Sequence, residues 1–335
     1  MGEKRIRIID IADELGLSTA TVSNVIHGKT KKISDETVKR VQQLLEEKQY
    51  IPSMAGLLLA QNNSRIIGII VNNHHKYENR VLQDPFINTS IDYLSEEIEE
   101  AGYFMMVKAT NNCNDIIRYA SMWNMEGIIV IGFCEQDYEN LRNQMHIPFV
   151  VYDGYMGRME RYANIVVDNV DGGCQMGRYL IEQGHKKILC ITDNDICMDH
   201  ERYKGLQKAA AEYKEVKVRQ VIVPQEKQER ILFYQQHIDF LLEYSAAFAV
   251  SDVYAIEFMN FLLDRNIKVP EQMSIAGFDD IPLSNLVRPR LTTVHQDGRV
   301  RARMALSMLE QQREHAIFKD EYVLPVTLVV RESVK

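Results

Sequence analysis

Two short helical patterns joined by a tight turn, between Ile8 and Ile26, constrain this chain more than any other feature. The small Ala12 allows the two helices to cross closely, and Gly16 accepts the backbone angle that ends the first helix. Ser18 can cap the second helix by accepting a hydrogen bond from a backbone N–H further along the chain. The apolar side shared by the helices consists of Ile11, Leu15, Leu17, Val22 and Ile26. The pattern predicts a helix-turn-helix, whose second helix enters the major groove of DNA, with an ordinary helical hairpin as the alternative.

Length and composition narrow the class of protein. A chain of 335 residues is longer than one hydrophobic core usually organises, so we expect two or three folding units. A composition of 46% hydrophobic and 26% charged residues is typical of a soluble globular protein. No apolar run approaches the ~20 residues of a membrane-spanning helix, and the N-terminus lacks the apolar stretch of a signal peptide. The five cysteines are scattered without the spacing of a metal site, so we expect a cytoplasmic protein with no metal or cofactor and no membrane partner.

Charge is distributed unevenly along the chain. The formal net charge is −8, which by itself argues against a nucleic-acid partner. Residues 1–65, however, hold ten lysines and arginines against eight acidic residues, so this part carries +2 and the remainder carries −10. An acidic body keeps DNA away from all but a small basic region, where phosphate contacts supply affinity. The asymmetry therefore supports the helix-turn-helix interpretation.

The pattern that follows completes a small helical domain. Ser34 opens a third helix from Asp35 to Lys48, whose apolar side covers the first two helices. The cationic loop 28–32 lies either along the phosphate backbone or in solvent. Residues 53–60 form a brief apolar helical segment, and residues 61–64 form a polar linker.

From Arg65 onward, short β-rich runs alternate with amphipathic helices, which indicates parallel sheets with helices on both faces. Ligands of such sheets bind beyond the carboxyl ends of the strands. The runs are too numerous for one doubly wound sheet, so we expect two similar α/β lobes with a cleft between them. The predicted strands are 66–71, 103–108, 127–131, 149–152, 187–192, 218–223, 246–250 and 274–276. The predicted helices include 90–100, 171–183, 203–213 and 254–265.

The order of these parts resembles the lactose-repressor/galactose-repressor (LacI/GalR) family of bacterial transcription regulators. The motifs that carry the resemblance are weak singly but very specific together and in order, and they cover essentially the whole chain. They are Asp10–Ser23, Ile33–Val41, Tyr50–Pro52, Ile67–Ile69, Leu180–Ile188, Glu201–Gly205, Val269–Glu271, Ser274–Ile281, Leu291–Asp297 and Leu324–Leu328. The resemblance implies an all-α helix-turn-helix head and an α/β, two-lobed effector domain like that of periplasmic sugar-binding proteins. Three chain crossovers join the lobes, near Val166, Gln296 and Pro325.

The resemblance also implies domain boundaries. The DNA-binding domain comprises residues 1–50, the hinge helix and linker 51–64, and the effector-binding and dimerisation domain 65–335. Within that domain, lobe 1 spans about 65–165 and 297–324, and lobe 2 spans about 166–295 and 325–335. The segment 53–60 corresponds to the family's hinge helix, or is a plain linker. Because eight residues cannot hold a helix alone in water, we expect it to form only with a second subunit and the DNA minor groove.

By the same resemblance, the start of the second helix reads the bases. Thr19, Ala20 and Asn24 face base edges, and Thr21 and Ser23 lie nearer the phosphates. Most relatives carry Arg in place of Asn24, whereas Asn suits adenine, and the Ala20 methyl can touch a thymine methyl. We therefore expect an operator that departs from the commonest half-site of the family. The candidate DNA-binding residues are Ser18, Thr19, Ala20, Thr21, Ser23, Asn24, His27, Lys29 and Leu59, the last matching a leucine that wedges between base pairs.

An effector site between the lobes follows from the resemblance as well. Arg202 would fork onto ligand oxygens, unless it forms a surface ion pair, and Asp279 would accept paired hydrogen bonds from hydroxyls. Asp153 is the matching carboxylate of the other lobe, and Phe86 either stacks on the ligand ring or belongs to the core. Ser251 stands where relatives usually have Asn. The candidate effector-binding residues are Asn72, Asn73, Phe86, Asp153, Arg202, Ser251 and Asp279.

These features predict a sequence-specific DNA-binding regulator, most simply a repressor, which a sugar or sugar derivative controls. We expect a homodimer on a pseudo-palindromic operator. The alternatives are a regulator controlled by a phosphoprotein co-repressor and a sugar-binding protein without a regulatory role. No glycine-rich phosphate loop or nucleophile elbow supports an enzyme, so no catalytic residue is predicted. The segment 74–80 is longer than in most relatives and forms either a lid specific to this chain or a surface loop.

Overall fold

The computed structural model describes residues 6–51, 64–133, 140–141, 143–154, 163–314 and 320–335. Contacts within the chain separate residues Met1–Ser64, here called the head, from residues Arg65–Lys335, here called the body. The segment 53–60 and Leu59, assigned above to a hinge helix, lie outside the described residues. No helix within the described ranges has the length and apolar character needed to span a lipid bilayer.

The described part of the head, residues 6–51 and 64, contains three helices, α1 (Ile8–Leu15), α2 (Thr19–Ile26) and α3 (Asp35–Glu47). Gly16 ends α1 in the left-handed conformation, at φ 67°, and Ser18 caps α2 by accepting a hydrogen bond from the Thr21 N–H at 3.1 Å. The sequence predicts both features, and both are confirmed. The buried side chains between the helices are Ile11, Ala12, Val22, Val25, Val41 and Leu44.

The described residues of the body form two parallel sheets and one short antiparallel pair. The first sheet has the strand order β11-β5-β4-β3-β1-β2, and the second has the order β7-β6-β8-β9. Strands β10 and β12 pair antiparallel. The first-sheet strands are β1 (Ile66–Val71), β2 (Phe104–Ala109), β3 (Gly127–Ile131), β4 (Phe149–Tyr152), β5 (Ala163–Val167) and β11 (Asp320–Leu324). The others are β6 (Lys187–Thr192), β7 (Lys217–Ile222), β8 (Ala246–Ala249), β9 (Ser274–Ala276), β10 (Thr293–Gln296) and β12 (Val326–Val329).

Helices cover the two sheets. The described helices are α4 (Pro85–Glu100), α5 (Cys113–Met122), α6 (Asn169–Glu182), α7 (Cys197–Ala211), α8 (Lys227–Gln236), α9 (Ile238–Leu241), α10 (Asp252–Leu263) and α11 (Gly298–Glu314). Alternate residues of one strand enter different cores: Ile67 and Ile69 of β1 face one cluster, and Ile66 and Ile70 face another. Strands β1, β3, β4 and β8 are buried at every residue, and because both of their faces are covered they appear in the sequence as continuous apolar runs rather than alternating ones.

The chain passes between the two sheets at three places. It leaves the first sheet after Val167, returns to it after Gln296 through α11, and leaves again at Pro325 between β11 and β12. Because parallel strands present their carboxyl ends at one edge, each sheet offers an edge of loops to a ligand. These loops carry the candidate effector residues.

Several boundaries differ from the sequence prediction. The strands predicted at 103–108 and 218–223 are each displaced by one residue, and four short strands, β5 and β10–β12, were not among the predicted runs. Three helices begin earlier than their apolar periodicity suggests, because Asp84, Asp168 and Ser251 cap them upstream with side-chain hydrogen bonds. Helix α7 also begins earlier, so Arg202 lies inside a helix rather than in a polar run after a strand.

Candidate functional site: a helix face in the head and a cavity in the body

Helix α2 buries one side and exposes the other. Val22 and Val25 are buried in the head core, whereas Thr19, Ala20 and Asn24 are exposed. Residues 20 and 24 are one helical turn apart, so they share a face, with residue 19 beside them at the N-terminal end. The three residues predicted to read bases therefore lie on one accessible surface. A helix that presents its N-terminal polar face in this way can enter a major groove.

The other candidate DNA-binding residues surround this face. Ser18 is exposed, and its hydroxyl lies 2.9 Å from the hydroxyl of the half-buried Thr21. Ser23 and His27 are half-buried, and Lys29 is exposed beyond the end of α2. The Lys29 N–H donates to the Asn24 carbonyl at 2.8 Å, which holds the start of the cationic loop against the helix. Leu59, the ninth candidate, lies outside the described residues.

A cavity of about 550 Å³ lies at the carboxyl ends of the strands of both sheets in the body. Gly132 and Asp153 reach it from the ends of β3 and β4, and Ser251 and Asp279 reach it from the ends of β8 and β9. Phe86 and Arg202 complete the set of predicted residues that line it. The structure thus brings five of the seven candidate effector residues together. This is where an open α/β sheet binds ligands.

Arg202 and Asp279 form the charged centre of the second-sheet wall. The Arg202 Nη1 lies 3.4 Å from Asp279 Oδ1, and both side chains are 7% exposed. Arg202 Nε also donates to Asn169 Oδ1 at 2.9 Å, and its guanidinium lies 3.7 Å from the centre of the Phe278 ring. Burial raises the pKa of Asp279 well above its usual range, and the Arg202 charge only partly opposes this. The pair can offer hydroxyl groups one strong donor and one strong acceptor.

Asp153 occupies the first-sheet wall beside a buried arginine. It follows β4 with φ 61° and forms an ion pair with Arg301, whose side chain is 1% exposed and lies on α11. Arg301 Nη1 donates to Gln296 Oε1 at 3.1 Å, and Gln296 Nε2 donates to Asp279 Oδ1 at 2.7 Å. Burial lowers the pKa of Arg301 to about 10. One hydrogen-bonded chain therefore joins the carboxylates of the two walls through Gln296, at a crossover.

Phe86 and Ser251 both line the cavity, and each also has a structural role. Phe86 lies in the first turn of α4, half-buried, and both lines the cavity and packs on the core. Ser251 also lines the cavity, but its hydroxyl accepts a hydrogen bond from the Tyr254 N–H at 3.4 Å as the cap of α10. The surface ion pair considered for Arg202 is wrong, because that side chain is buried.

Asn72 and Asn73 require a correction. The sequence predicts that they face the cleft, but they are not among the residues that line the cavity. Asn72 Nδ2 donates to the Gly132 carbonyl at 2.8 Å, and Asn73 Nδ2 donates to Asn79 Oδ1 at 3.0 Å. Their amides bind neighbouring loops, and through Gly132 that of Asn72 contacts a residue that does line the cavity.

The sequence reasoning missed the other lining residues of the cavity, among them the polar Lys76, Asp84, Asp199 and Tyr254. Asp84 Oδ1 accepts hydrogen bonds from Phe86 N and Ile87 N, each at 3.0 Å, and its position before Pro85 was a visible capping signal. Burial and the charge of Asp193 raise the pKa of Asp199 to about 7. Nothing in the local sequence indicated that Lys76 or Tyr254 would reach this cavity.

These two sites define a class of protein. The exposed polar face of a helix-turn-helix is suited to reading DNA, and a charged cavity at the carboxyl ends of two parallel sheets is suited to a small polar ligand. A chain that carries both is a ligand-responsive DNA-binding protein.

Comparisons with known proteins agree. Residues 7–53 match the lacI family of bacterial regulatory proteins, and residues 178–334 match the periplasmic binding protein-like domain. The HTH-type transcriptional repressor PurR of Vibrio atlanticus is 30% identical over 343 residues, which cover 98% of each chain. The repressor PurR of Pasteurella multocida is 30% identical over 340 residues, also 98% of each chain.

Two solved structures share the fold. The Lac repressor dimer bound to operator and the anti-inducer ONPF has a TM-score of 0.84 at 20% identity and covers 98% of this chain and 99% of its own. The complex of the transcriptional regulator CelR with cellobiose has a TM-score of 0.70 at 21% identity and covers 98% of this chain and all of its own.

The chain belongs to the LacI family of bacterial regulatory proteins. It is a DNA-binding regulator of transcription that responds to a small molecule, and it is not an enzyme. The family resemblance and the fold class that the sequence predicts are both confirmed.

Proposed function

We propose that this chain is a cytoplasmic, homodimeric repressor whose affinity for a pseudo-palindromic operator is set by a sugar or sugar derivative in the body cavity. Residues 1–50 bind the operator, 51–64 form the hinge and linker, and 65–335 bind the effector and dimerise. Lobe 1 comprises about 65–165 and 297–324, and lobe 2 about 166–295 and 325–335. The observation that carries the effector assignment is the buried Arg202–Asp279 pair in the wall of a cavity that Phe86 also lines.

The chemistry of the cavity supports a polyhydroxylated ligand. A carboxylate beside a guanidinium can accept from one hydroxyl and donate to the next, which is the pattern that adjacent sugar hydroxyls offer. The Phe86 ring supplies an apolar face for the C–H side of a sugar ring. A volume of about 550 Å³ accommodates a ligand of one or two sugar rings. Solved structures of this fold include complexes with D-xylulofuranose and with ribose.

For the head, we assign base contacts to Thr19, Ala20 and Asn24. The Asn24 amide can pair with N6 and N7 of adenine, and the Ala20 methyl can touch a thymine methyl. Ser18, Thr21, Ser23, His27 and Lys29 border this face and are assigned to phosphates. Leu59 is assigned to the minor groove as a wedge between base pairs.

A ligand that binds one arrangement of the lobes better than another shifts the equilibrium between those arrangements. In the dimer, the hinge transmits this shift as a change in the spacing of the two DNA-binding heads. Allosteric coupling of about 1–3 kcal/mol changes operator affinity about 5- to 150-fold. A dimer matches a palindromic site because each head reads one half-site.

The test is fluorescence anisotropy of the full chain with labelled DNA from its own promoter region, with and without a panel of sugars. We expect one sugar or a close derivative to change the dissociation constant of the operator at least fivefold. Asp279→Asn removes the carboxylate charge beside Arg202 and is expected to abolish that response. Asp264→Asn, an exposed carboxylate at the end of α10, is the matched control and should respond like the unaltered chain.

Two outcomes would contradict parts of the proposal. Operator binding that no sugar changes would overturn the carbohydrate assignment and leave the DNA assignment standing. Absence of binding to any part of the promoter region, at low salt and with every sugar, would overturn the regulator itself.

A further inference from the structure

The segment 74–80, here called the strap, is a compact structure rather than a loose loop. It contains a 3-10 turn, His75–Tyr77, and reverses direction through Glu78 and Asn79, both in the left-handed conformation at φ 49° and 61°. The hydrogen bond from Asn73 Nδ2 to Asn79 Oδ1 closes its base, and the Arg80 N–H donates to the Tyr77 carbonyl at 2.7 Å. These bonds fix where the strap projects its side chains.

One of those side chains reaches the other sheet. The strap follows β1 of the first sheet, and Lys76 Nζ lies 3.3 Å from Oδ2 of Asp193, which follows β6 of the second sheet. The Tyr254 hydroxyl donates to the same oxygen at 2.7 Å. The Asp193 side chain is 0% exposed and that of Lys76 is 30% exposed. The strap therefore makes a direct ionic contact across the cleft.

Separating Lys76 from Asp193 carries a cost in free energy, because both groups are charged and Asp193 is buried. Burial alone would raise the pKa of Asp193, but the Lys76 charge and hydrogen bonds with Asp199, Tyr254 and Asn194 outweigh it and hold that pKa below its usual value. A buried carboxylate that loses its cationic partner keeps its desolvation cost without the compensating attraction. If the two sheets moved apart at this point, Asp193 would be a buried carboxylate without a cationic partner until water replaced the ammonium group.

The strap is also a wall of the ligand cavity. Lys76, Tyr77, Glu78 and Arg80 all line it, together with Asp199 and Tyr254 from the opposite side. A ligand held at Arg202 and Asp279 would thus be bordered by the same segment that carries the ionic contact. Of the two alternatives for 74–80, these contacts favour the lid over the surface loop.

We propose that Lys76 and Asp193 form a latch that holds the two lobes together on the strap side of the cavity. The proposal uses the cleft of the proposed function, but its test requires neither the ligand nor the DNA.

The test compares Lys76→Met with the unaltered full-length protein, without ligand. Methionine keeps most of the apolar stem and removes the ammonium charge. We expect a larger radius of gyration by small-angle X-ray scattering, and about tenfold faster hydrogen exchange in residues 74–80 and in the turn after β6, because a partly buried ion pair is lost. Lys76→Arg keeps the charge and should restore both values toward those of the unaltered chain.

Lys186→Met is the matched control, because it removes an exposed ion pair, Lys186–Glu215, that lies within the second lobe. It should leave the scattering and the exchange of the strap unchanged. Asp193→Asn removes the latch from the other side and should reproduce the effects of Lys76→Met. If both latch variants fold and scatter like Lys186→Met, with the strap still protected, the latch does not hold the lobes. Operator binding, measured separately, would reveal a failure of the proposed function.

Discussion

The DNA-reading face of α2 and the cavity of the body treat polar groups in opposite ways. On α2, Thr19, Ala20 and Asn24 are exposed, and the buried residues beside them are apolar. In the cavity, Arg202 and Asp279 are buried and bound to each other and to Asn169 and Gln296. The polar side chains on α2 have their surfaces open to a binding partner. Those of Arg202 and Asp279 already bind other groups of the protein.

This difference predicts which property a substitution at each site will change, binding or folding stability. An exposed residue on a helix contributes little to folding, so changing it alters binding and leaves stability nearly intact. A buried charge that loses its partner destabilises the fold itself. Variants of the two sites should therefore separate into binding defects and folding defects.

The largest expected effect on folding comes from Arg202→Leu. It leaves the buried Asp279 without its cationic partner and deprives Asn169 and the Val250 carbonyl of a donor. We expect the free energy of unfolding to fall by about 3–5 kcal/mol in urea denaturation. Arg178→Leu, which removes an exposed pair with Glu212, is the control and should unfold like the original chain. Equal free energies of unfolding for the two variants would show that Arg202 does not stabilise the buried Asp279.

The next effect is a loss of DNA binding without a loss of fold. Ala20→Asp places a negative charge on the exposed face of α2, where it opposes phosphates and base-edge acceptors. We expect operator affinity to fall about 100-fold or more, with the circular dichroism and melting temperature unchanged. Gln42→Asp adds the same charge to the exposed side of α3 and is the control. Comparable losses in both variants would point to net charge rather than to the face of α2.

A smaller effect should follow from Asn24→Ala. The loss of one bidentate amide costs about 1–3 kcal/mol of discrimination at one base pair, so affinity should fall about tenfold for the preferred operator and much less when that base pair is replaced. Anisotropy with a set of single-base operator variants measures this. Uniform weakening across every operator would indicate a phosphate contact instead of base reading.

The same contrast explains what the sequence could and could not predict. The head is local: Ser18, Gly16 and the apolar positions within about twenty residues determine its helices, so motif and periodicity suffice. Strands β1, β3, β4 and β8 of the body were also predicted, because burial on both faces makes them continuous apolar runs, whereas the short strands β5 and β10–β12 were not. Arg202 and Asp279, in the wall of the cavity, could be predicted as effector-binding residues only because their motifs resemble those of a known family.

The remaining contacts of the cavity join distant parts of the chain. Lys76 meets Asp193 across 117 residues, and Gln296 joins Asp279 to Arg301 within a crossover that only the tertiary fold assembles. Asn72 and Asn73 looked like cleft residues because they end a strand, yet their amides turn to Gly132 and Asn79. A strand end indicates the edge of a sheet, but the direction of each side chain depends on the loops that pack against it.

The most gradual effect, which accumulates over several pH units, tests the Asp193 and Asp199 carboxyl groups beneath the latch. Asp199 has a pKa raised to about 7 by burial and by the Asp193 charge, so between about pH 4 and 7 the folded chain keeps a proton that the unfolded chain has lost. Its contribution to stability is therefore full below pH 4 and is lost as the pH rises to 7. Asp199→Asn mimics the protonated acid and can still donate to Asp193, so it should not lose this contribution.

The free energy of unfolding of the unaltered chain should fall relative to that of Asp199→Asn by at most about 1.4 kcal/mol per pH unit between pH 4 and 7, and the difference should level off above pH 7. Urea denaturation at pH 5, 6, 7 and 8 measures it. Asp195→Asn, an exposed carboxylate on the same loop whose pKa the His200 hydrogen bond lowers, should run parallel to the unaltered chain over this range. Parallel curves for Asp199→Asn as well would mean that Asp199 ionises like a surface acid and that Lys76 faces two charges rather than one.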